Sequence, residues 1–228
     1  MPDAQESTTP LFALRVTTPR LTLRVGTTGE VRALGKLARR GIHPPEEMPF
    51  GVAWSDRTAL PGFLEEFAAF HREHLTGWSR EEWHLDFLVW EHGALVGTQG
   101  IGGRRFAEER VVATGSWLGR DAQGKGIGTE MRAAALEFAF GGLGAEAATS
   151  GWLEGNAASG RVSEKLGYRK TGVSEVSPRG TPVPHHDVRI DRGDWSSPVA
   201  VELSGVESCL ALFGAAQPPS DLSAAASD

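Results

Sequence analysis

Apolar and polar side chains alternate through Leu21-Thr22-Leu23-Arg24-Val25, the period of a strand with one buried face. Pro19 lies just ahead of it, where a strand can begin. The period then lengthens. Thr27 and Thr28 are cap residues for a helix over about residues 29–40, with Val31, Leu34 and Leu37 on one face. A breaker-rich loop covers residues 41–54; three prolines stiffen it, and Met48, Phe50 and Trp54 are large apolar groups on it. Leu60, Phe63, Leu64, Phe67 and Phe70 recur at helical spacing and predict a second helix over residues 57–74. Residues 84–90 and 95–101 read as the arms of a hairpin around Glu91-His92-Gly93-Ala94. Residues 111–118 are a further strand, 119–128 a loop, and 129–140 an alanine-rich helix ended by Gly141-Gly142. A strand over 145–153, a short helix over 157–166 and strands over 168–176, 186–191 and 199–204 complete the series. Residues 1–14 read as a loose lead-in and 216–228 as a low-complexity disordered tail. The order predicts an α/β (α+β) domain, a mixed sheet flanked by helices.

Composition narrows the picture. A chain of 228 residues, 40% hydrophobic and 23% charged, is ordinary for a globular domain with a real core. The net charge of −6 argues against general affinity for nucleic-acid phosphates. No apolar run approaches the roughly 20 residues that span a bilayer, and the polar N-terminus lacks a signal pattern. The single cysteine, Cys209, cannot form an internal disulfide and reads as an inert buried thiol. Together these predict a cytoplasmic protein. His71 and His74 lie three apart on the second helix, but no third ligand is near in sequence, so a polar helix edge is favoured and no metal is expected. The 29 glycines exceed the roughly 16 that average usage of about 7% would give. Where they fall decides whether they matter.

Three fall together in Gln123-Gly124-Lys125-Gly126-Ile127-Gly128-Thr129, between a strand and a helix. Alternate glycines let the backbone turn tightly and aim consecutive N–H groups at one point. The following helix adds its unpaired first-turn amides and positive dipole end, so the segment suits a pyrophosphate. Neither the Walker pattern nor the dinucleotide fingerprint fits its spacing, and no Mg²⁺-binding Asp motif supports a kinase-like reading. The Gln-x-x-Gly-x-Gly pattern of Gln123, Gly126 and Gly128 resembles the acyl-CoA loop of the GNAT N-acyltransferases. Gly115-Ser116-Trp117-Leu118-Gly119 looks like that family's fourth strand. Asn156-Ala157-Ala158-Ser159, followed by Lys165-Leu166-Gly167-Tyr168, resembles its segment after the fifth. The pairing of Asn156 with Ser159 is similar to the ribosomal-protein N-terminal acetyltransferase branch. Wording such as Met48-Pro49-Phe50 resembles an actinobacterial subgroup that includes succinyl-CoA-dependent members.

The resemblance implies a GNAT domain over residues 15–197, a sheet splayed between strands four and five, and a C-terminal extension over 198–215 that could add a strand or a homodimer contact. It implies acetyl-CoA or succinyl-CoA as co-substrate, with pantetheine along Trp117 and Leu118 and pyrophosphate on Gln123, Gly124, Lys125, Gly126, Ile127, Gly128 and Thr129. The oxyanion falls to the Leu118 N–H. Ser159 is the carried-over acid for the leaving sulfur, with Asn156 as a polar partner for pantetheine or an ordered water; the bland readings are a helix N-cap or first-turn residue for Ser159 and a turn residue for Asn156. Many relatives place a tyrosine where this chain has Ser163, and a glutamate base on the fourth strand where it has Val112-Ala113-Thr114-Gly115. The base is left open, with Glu154, His84 and Asp86 as candidates. His43, Phe50 and Trp54 are expected to shape the pocket of a small-molecule or peptide amine, or else to plug the core. Arg80, Arg104 and Arg105 are candidate partners for a succinyl carboxylate. The other-class alternative is a non-catalytic acyl-CoA-binding sensor or interaction module.

Overall fold

In the computed structural model, residues 7–215 are described; the tail expected as disordered lies outside them. Nine strands form one sheet: β1 (Arg15–Thr17), β2 (Leu21–Val25), β3 (Glu82–Glu91), β4 (Ala94–Arg104), β5 (Val111–Leu118), β6 (Ala147–Leu153), β7 (Arg169–Val176), β8 (Val183–Asp191) and β9 (Glu202–Ser204). Their order is β7-β8-β6-β5-β4-β3-β2-β1-β9, and every neighbouring pair except β5–β6 is antiparallel. The helices are α1 (Thr28–Arg39), α2 (Phe63–Thr76), α3 (Phe106–Glu109), α4 (Ile127–Glu137) and α5 (Ala157–Lys165).

Each face of the sheet has its own apolar cluster. Leu34, Leu37, Phe63 and Phe67 of α1 and α2 pack with Leu88 on one face. On the other, Ile127, Met131 and Leu136 of α4 join Phe87, Ile101 and Val112. The α1 start is built as its sequence predicts: Thr27 accepts from the Glu30 N–H while the Glu30 carboxylate accepts from the Thr27 N–H, a capping box.

Two sequence expectations change, while the C-terminal extension adds a strand, one of its two expected roles. The lead-in is not loose where it is described: Leu11 and Leu14 are fully buried, and Arg15–Thr17 forms β1 between β2 and β9. An apolar pair inside a polar segment is too short a signal for periodicity to catch. The second helix begins at Phe63, because Pro61-Gly62 breaks the run and Gly62 sits at φ +81°. Leu60 and Phe70, expected on its buried face, are 49% and 55% exposed. The extension past residue 197 folds onto its own chain: β9 pairs with β1, while Cys209, Leu210, Leu212 and Phe213 are buried. Trp78 Nε1 donates to the Leu212 carbonyl at 2.9 Å. Burial pushes the Cys209 thiol pKa up, which suits an unreactive group.

Candidate functional site

The family's fourth strand is β5 here, because β1 precedes the four expected strands. β5 ends at Leu118, and a tight turn over Arg120–Ala122 leads to the glycine loop. Gly124 and Gly126 lie at φ +73° and +80°, a backbone region that side-chain-bearing residues rarely adopt. The amides of Gly124, Lys125, Gly126, Ile127 and Gly128 find no acceptor among the described residues. The first helical bonds come from Thr129 and Glu130, both donating to the Gly126 carbonyl at 3.1 Å. Five open N–H groups at a helix's positive end make a concave anion site. Gly128 departs from expectation: it is the second residue of α4, and only Gly124 and Gly126 make the turn.

The Gln123 side chain is engaged within the chain. Its Nε2 donates to the carbonyls of Ile42 at 2.6 Å and Leu118 at 2.9 Å, tying residues 41–54 to the end of β5. Arg120 donates to the His43 carbonyl at 2.7 Å, and Arg20 from the far side donates to the Lys125 carbonyl at 3.2 Å. The loop is therefore braced on both flanks, with its amides left open.

The β5–β6 ladder holds only three pairs, ending at Ala113↔Thr149, although both strands continue. Side chains take over there. Ser150 Oγ donates to the Thr114 carbonyl at 3.0 Å, and Arg132 from α4 reaches Ser150 and Ser116 at 2.9 and 3.2 Å. The Gly119 N–H donates to Val96 on β4, so strand alternation turns the Leu118 N–H the other way, toward β6. Arg132 forms no ion pair among the described residues, and its buried Nε has no partner. Burial pulls its pKa down and raises that of neighbouring Tyr168. No sequence pattern marked this arginine; a cation inside an alanine-rich helix face was the one available sign.

On the opposite face, register places His84 and Asp86 of β3, Gly100 and Gly102 of β4, and Ala113 and Gly115 of β5 side by side. Glycine here is a clearance: a Cβ at Gly100 would come within 2.8 Å of His84 Nε2, and one at Gly102 within 3.0 Å of Nδ1. Asp86, 13% exposed, accepts from His71 Nδ1 at 2.7 Å, His74 Nδ1 at 2.6 Å and His84 Nε2 at 3.1 Å. Burial alone would raise its pKa, but the three imidazole hydrogen bonds win and hold it well below the usual carboxylate range. His74 and His84 line a cavity of about 560 Å³ with Glu73, Glu82, Arg104, Glu109, Ala113 and Thr149. Further along this face Trp54 stacks near Phe50, Phe67 and Trp117, with ring centroids 5.1 to 5.7 Å apart, and His43 lies 5.7 Å from Phe50. Arg179, at the β7–β8 hairpin tip, clasps this loop through Asp56 and the Pro45 carbonyl.

The family model described as "Acetyltransferase (GNAT) domain" matches residues 32–169. The chain belongs to the GNAT acetyltransferases. Its fold is similar to Mycobacterium smegmatis RimJ in complex with CoA-disulfide, at 20% identity and TM-score 0.62, covering 87% of this chain and 92% of that one. It is similar to RimL, a ribosomal L7/L12 alpha-N-protein acetyltransferase in complex with coenzyme A, at 16% identity, TM-score 0.61, and 76% and 95% coverage. A spermidine N-acetyltransferase chimera from Vibrio cholerae and hSSAT matches at 17% identity, TM-score 0.59, and 76% and 96% coverage. At these identities the likeness is one of fold.

Within this GNAT chain the residues singled out from sequence sort by place. Asn156 caps α5, its Oδ1 accepting from the Ser159 N–H at 3.2 Å, so its structural role is real. Ser163, at the position where relatives carry tyrosine, is buried and donates to the Ser159 carbonyl at 3.3 Å. Glu154 is bound to His186 Nε2 at 2.6 Å and is not among the residues lining the cavity that holds His84. Arg104 lines that cavity, whereas Arg105 is paired with Glu108 and Glu109. His43, Phe50 and Trp54 converge with Trp117, while Phe50 and Trp54 also plug the α1–α2 cluster. The third partner that the sequence lacked for His71 and His74 is Asp86, delivered by a strand rather than by the helix.

Proposed function

We propose that the protein is an N-acyltransferase that moves an acetyl or succinyl group from acyl-CoA to a primary amine by direct attack in a ternary complex. The observation that carries this is the row of five open amides, Gly124 to Gly128, beside the point where the β5–β6 ladder ends. A pyrophosphate seated there has its pantetheine arm leading along the unpaired edge of β5 past Leu118 and Trp117. Acyl transfer needs a deprotonated amine, a stabilised oxyanion and a protonated leaving thiolate. The Leu118 N–H serves the oxyanion, and the Ser159 hydroxyl serves the sulfur. Asn156 keeps its amide N–H₂ for the pantetheine while its oxygen caps the helix.

The acceptor enters the 560 Å³ cavity, where Glu73, Glu82 and Glu109 face a single arginine, Arg104. This acidic rim favours a cationic amine, such as a peptide N-terminus or a polyamine. The names of the RimL and spermidine-acetyltransferase neighbours agree with that class. A cytoplasmic site of action fits a buried lone thiol and the absence, among the described residues, of a helix able to cross a membrane. A non-catalytic acyl-CoA-binding module is the second reading, favoured by the lack of any carboxylate at Ala113 and Gly115. The test is thermal protection by acetyl-CoA, succinyl-CoA and ATP, followed by thiol release across an amine panel. CoA thioesters are expected to protect and to release thiol with at least one amine. Protection without release on every amine establishes the module, and protection by ATP alone overturns both.

A further inference from the structure

The geometry points to His84 as the general base that deprotonates the amine, oriented by Asp86, which His71 and His74 hold in place. This rests on the acyltransferase reading. β5 offers no side-chain proton acceptor to the cavity: Val111, Val112 and Ala113 line it, and Gly115 lies next along the same face. His84 fills that role from two strands away. Its ring lies across β4 over Gly100 and Gly102, and Gly102 pairs directly with Ala113. Its side chain is 42% exposed, against 21% for His74 and 7% for His71, so it is the most accessible of the three imidazoles.

The hydrogen bonds fix the chemistry. Asp86 is ionised and can only accept, so His84 donates through Nε2–H, and in the neutral ring this leaves the lone pair on Nδ1, beside Gly102. The other ionisable groups around it are Glu73, His71 and His74 from α2, Glu82 and Asp86 from β3, Arg104 from β4 and Glu109 from α3; β5 and β6 contribute none. A metal ion is the competing use of this cluster, since His71, His74 and Asp86 cluster with ligand atoms within 4.8 Å. The spacing here is that of a hydrogen-bonded cluster. Both Nδ1 atoms lie 2.6–2.7 Å from one Asp86 oxygen, a hydrogen-bond distance, whereas two ligands of a tetrahedral ion with bonds of about 2.0–2.1 Å sit about 3.3 Å apart.

In the reaction, the ammonium gives one proton to His84 Nδ1, directly or across one water. The amine lone pair forms the N–C bond at the thioester carbonyl, and collapse of the tetrahedral adduct breaks C–S. The Ser159 hydroxyl gives its proton to the departing thiolate and takes the second proton from the nitrogen, leaving amide, free thiol and an unchanged serine. His84 then returns its proton to solvent.

The experiment compares wild type with His84→Ala, His74→Gln and Asp86→Asn, using acetyl-CoA with spermidine and with a serine-initiated hexapeptide across pH. Wild-type turnover tests the acyltransferase reading separately, and acetyl-CoA thermal protection confirms that each variant is folded. His84→Ala is expected to keep that protection, lose about 10²-fold or more in kcat, have the acid limb of its pH–rate profile move up to the amine's own ionisation and regain rate with added imidazole. His74→Gln should keep the limb, Asp86→Asn should displace it, and EDTA should leave the wild-type rate unchanged. An acid limb that stays at its wild-type position in folded His84→Ala, or a wild-type rate that EDTA abolishes and Zn²⁺ restores, overturns the proposal.

Discussion

Gly126 shows how much one residue can carry. Its φ of +80° costs an L-residue about 1–2 kcal/mol, and its amide is one of the five open donors. Gly144 has a comparable φ of +69° with open space around it, far from the loop in sequence. Gly126→Ala and Gly144→Ala are therefore expected to lose similar stability in urea denaturation. Only Gly126→Ala should also weaken acetyl-CoA binding, by about tenfold, measured by calorimetry. Equal affinities in the two variants would remove the loop from the cofactor site. The glycines could be read from the sequence because turn chemistry is local. Arg132 could not: whether a helical arginine points to water or into the gap between β5 and β6 depends on which face packs inward.

Among elements, α1 carries the clearest pH signature. Hydrogen bonds from Arg24, against the opposing effect of burial and with help from the Thr27 cap, lower the Glu30 pKa from 4.5 to about 2. The folded value is depressed, so its stabilisation is fully present above about pH 4.5 and is lost as pH falls toward 2. Glu30→Gln should cost about 1 kcal/mol at neutral pH. The gap from wild type should narrow in thermal melts as pH drops through that window; a constant gap would show that the carboxylate's charge is irrelevant. The cap at Thr27 was legible because capping chemistry is local; its reciprocal partner Glu30 lies three residues on and completes the box in the structure. The false start of α2 at residue 57 has the opposite cause. Leu60 keeps the apolar period while Pro61-Gly62 breaks the backbone, and periodicity alone is blind to the break.

At the scale of the whole molecule, the C-terminal segment closes the core. Phe213 is fully buried with its ring against Trp83 at 4.8 Å and Trp78 at 5.2 Å, so it locks α2's exit and β3 together. Phe213→Ala is expected to destabilise by about 3–5 kcal/mol in urea denaturation, and a loss under 1 kcal/mol would mean the segment is dispensable. The sequence by itself determined strands β2 to β8, helices α1, α4 and α5, the glycine loop between β5 and α4 and the absence of a carboxylate on β5. Each of these follows from neighbours in the chain: alternation, capping, or left-handed glycine turns. Only the tertiary structure decided that His71 and His74 meet Asp86, that Arg132 bridges Ser116 of β5 and Ser150 of β6, and that the Gln123 side chain binds the Ile42 carbonyl. Those contacts join residues 12 to 81 positions apart, and strand register and helix packing set them, neither of which any local pattern encodes.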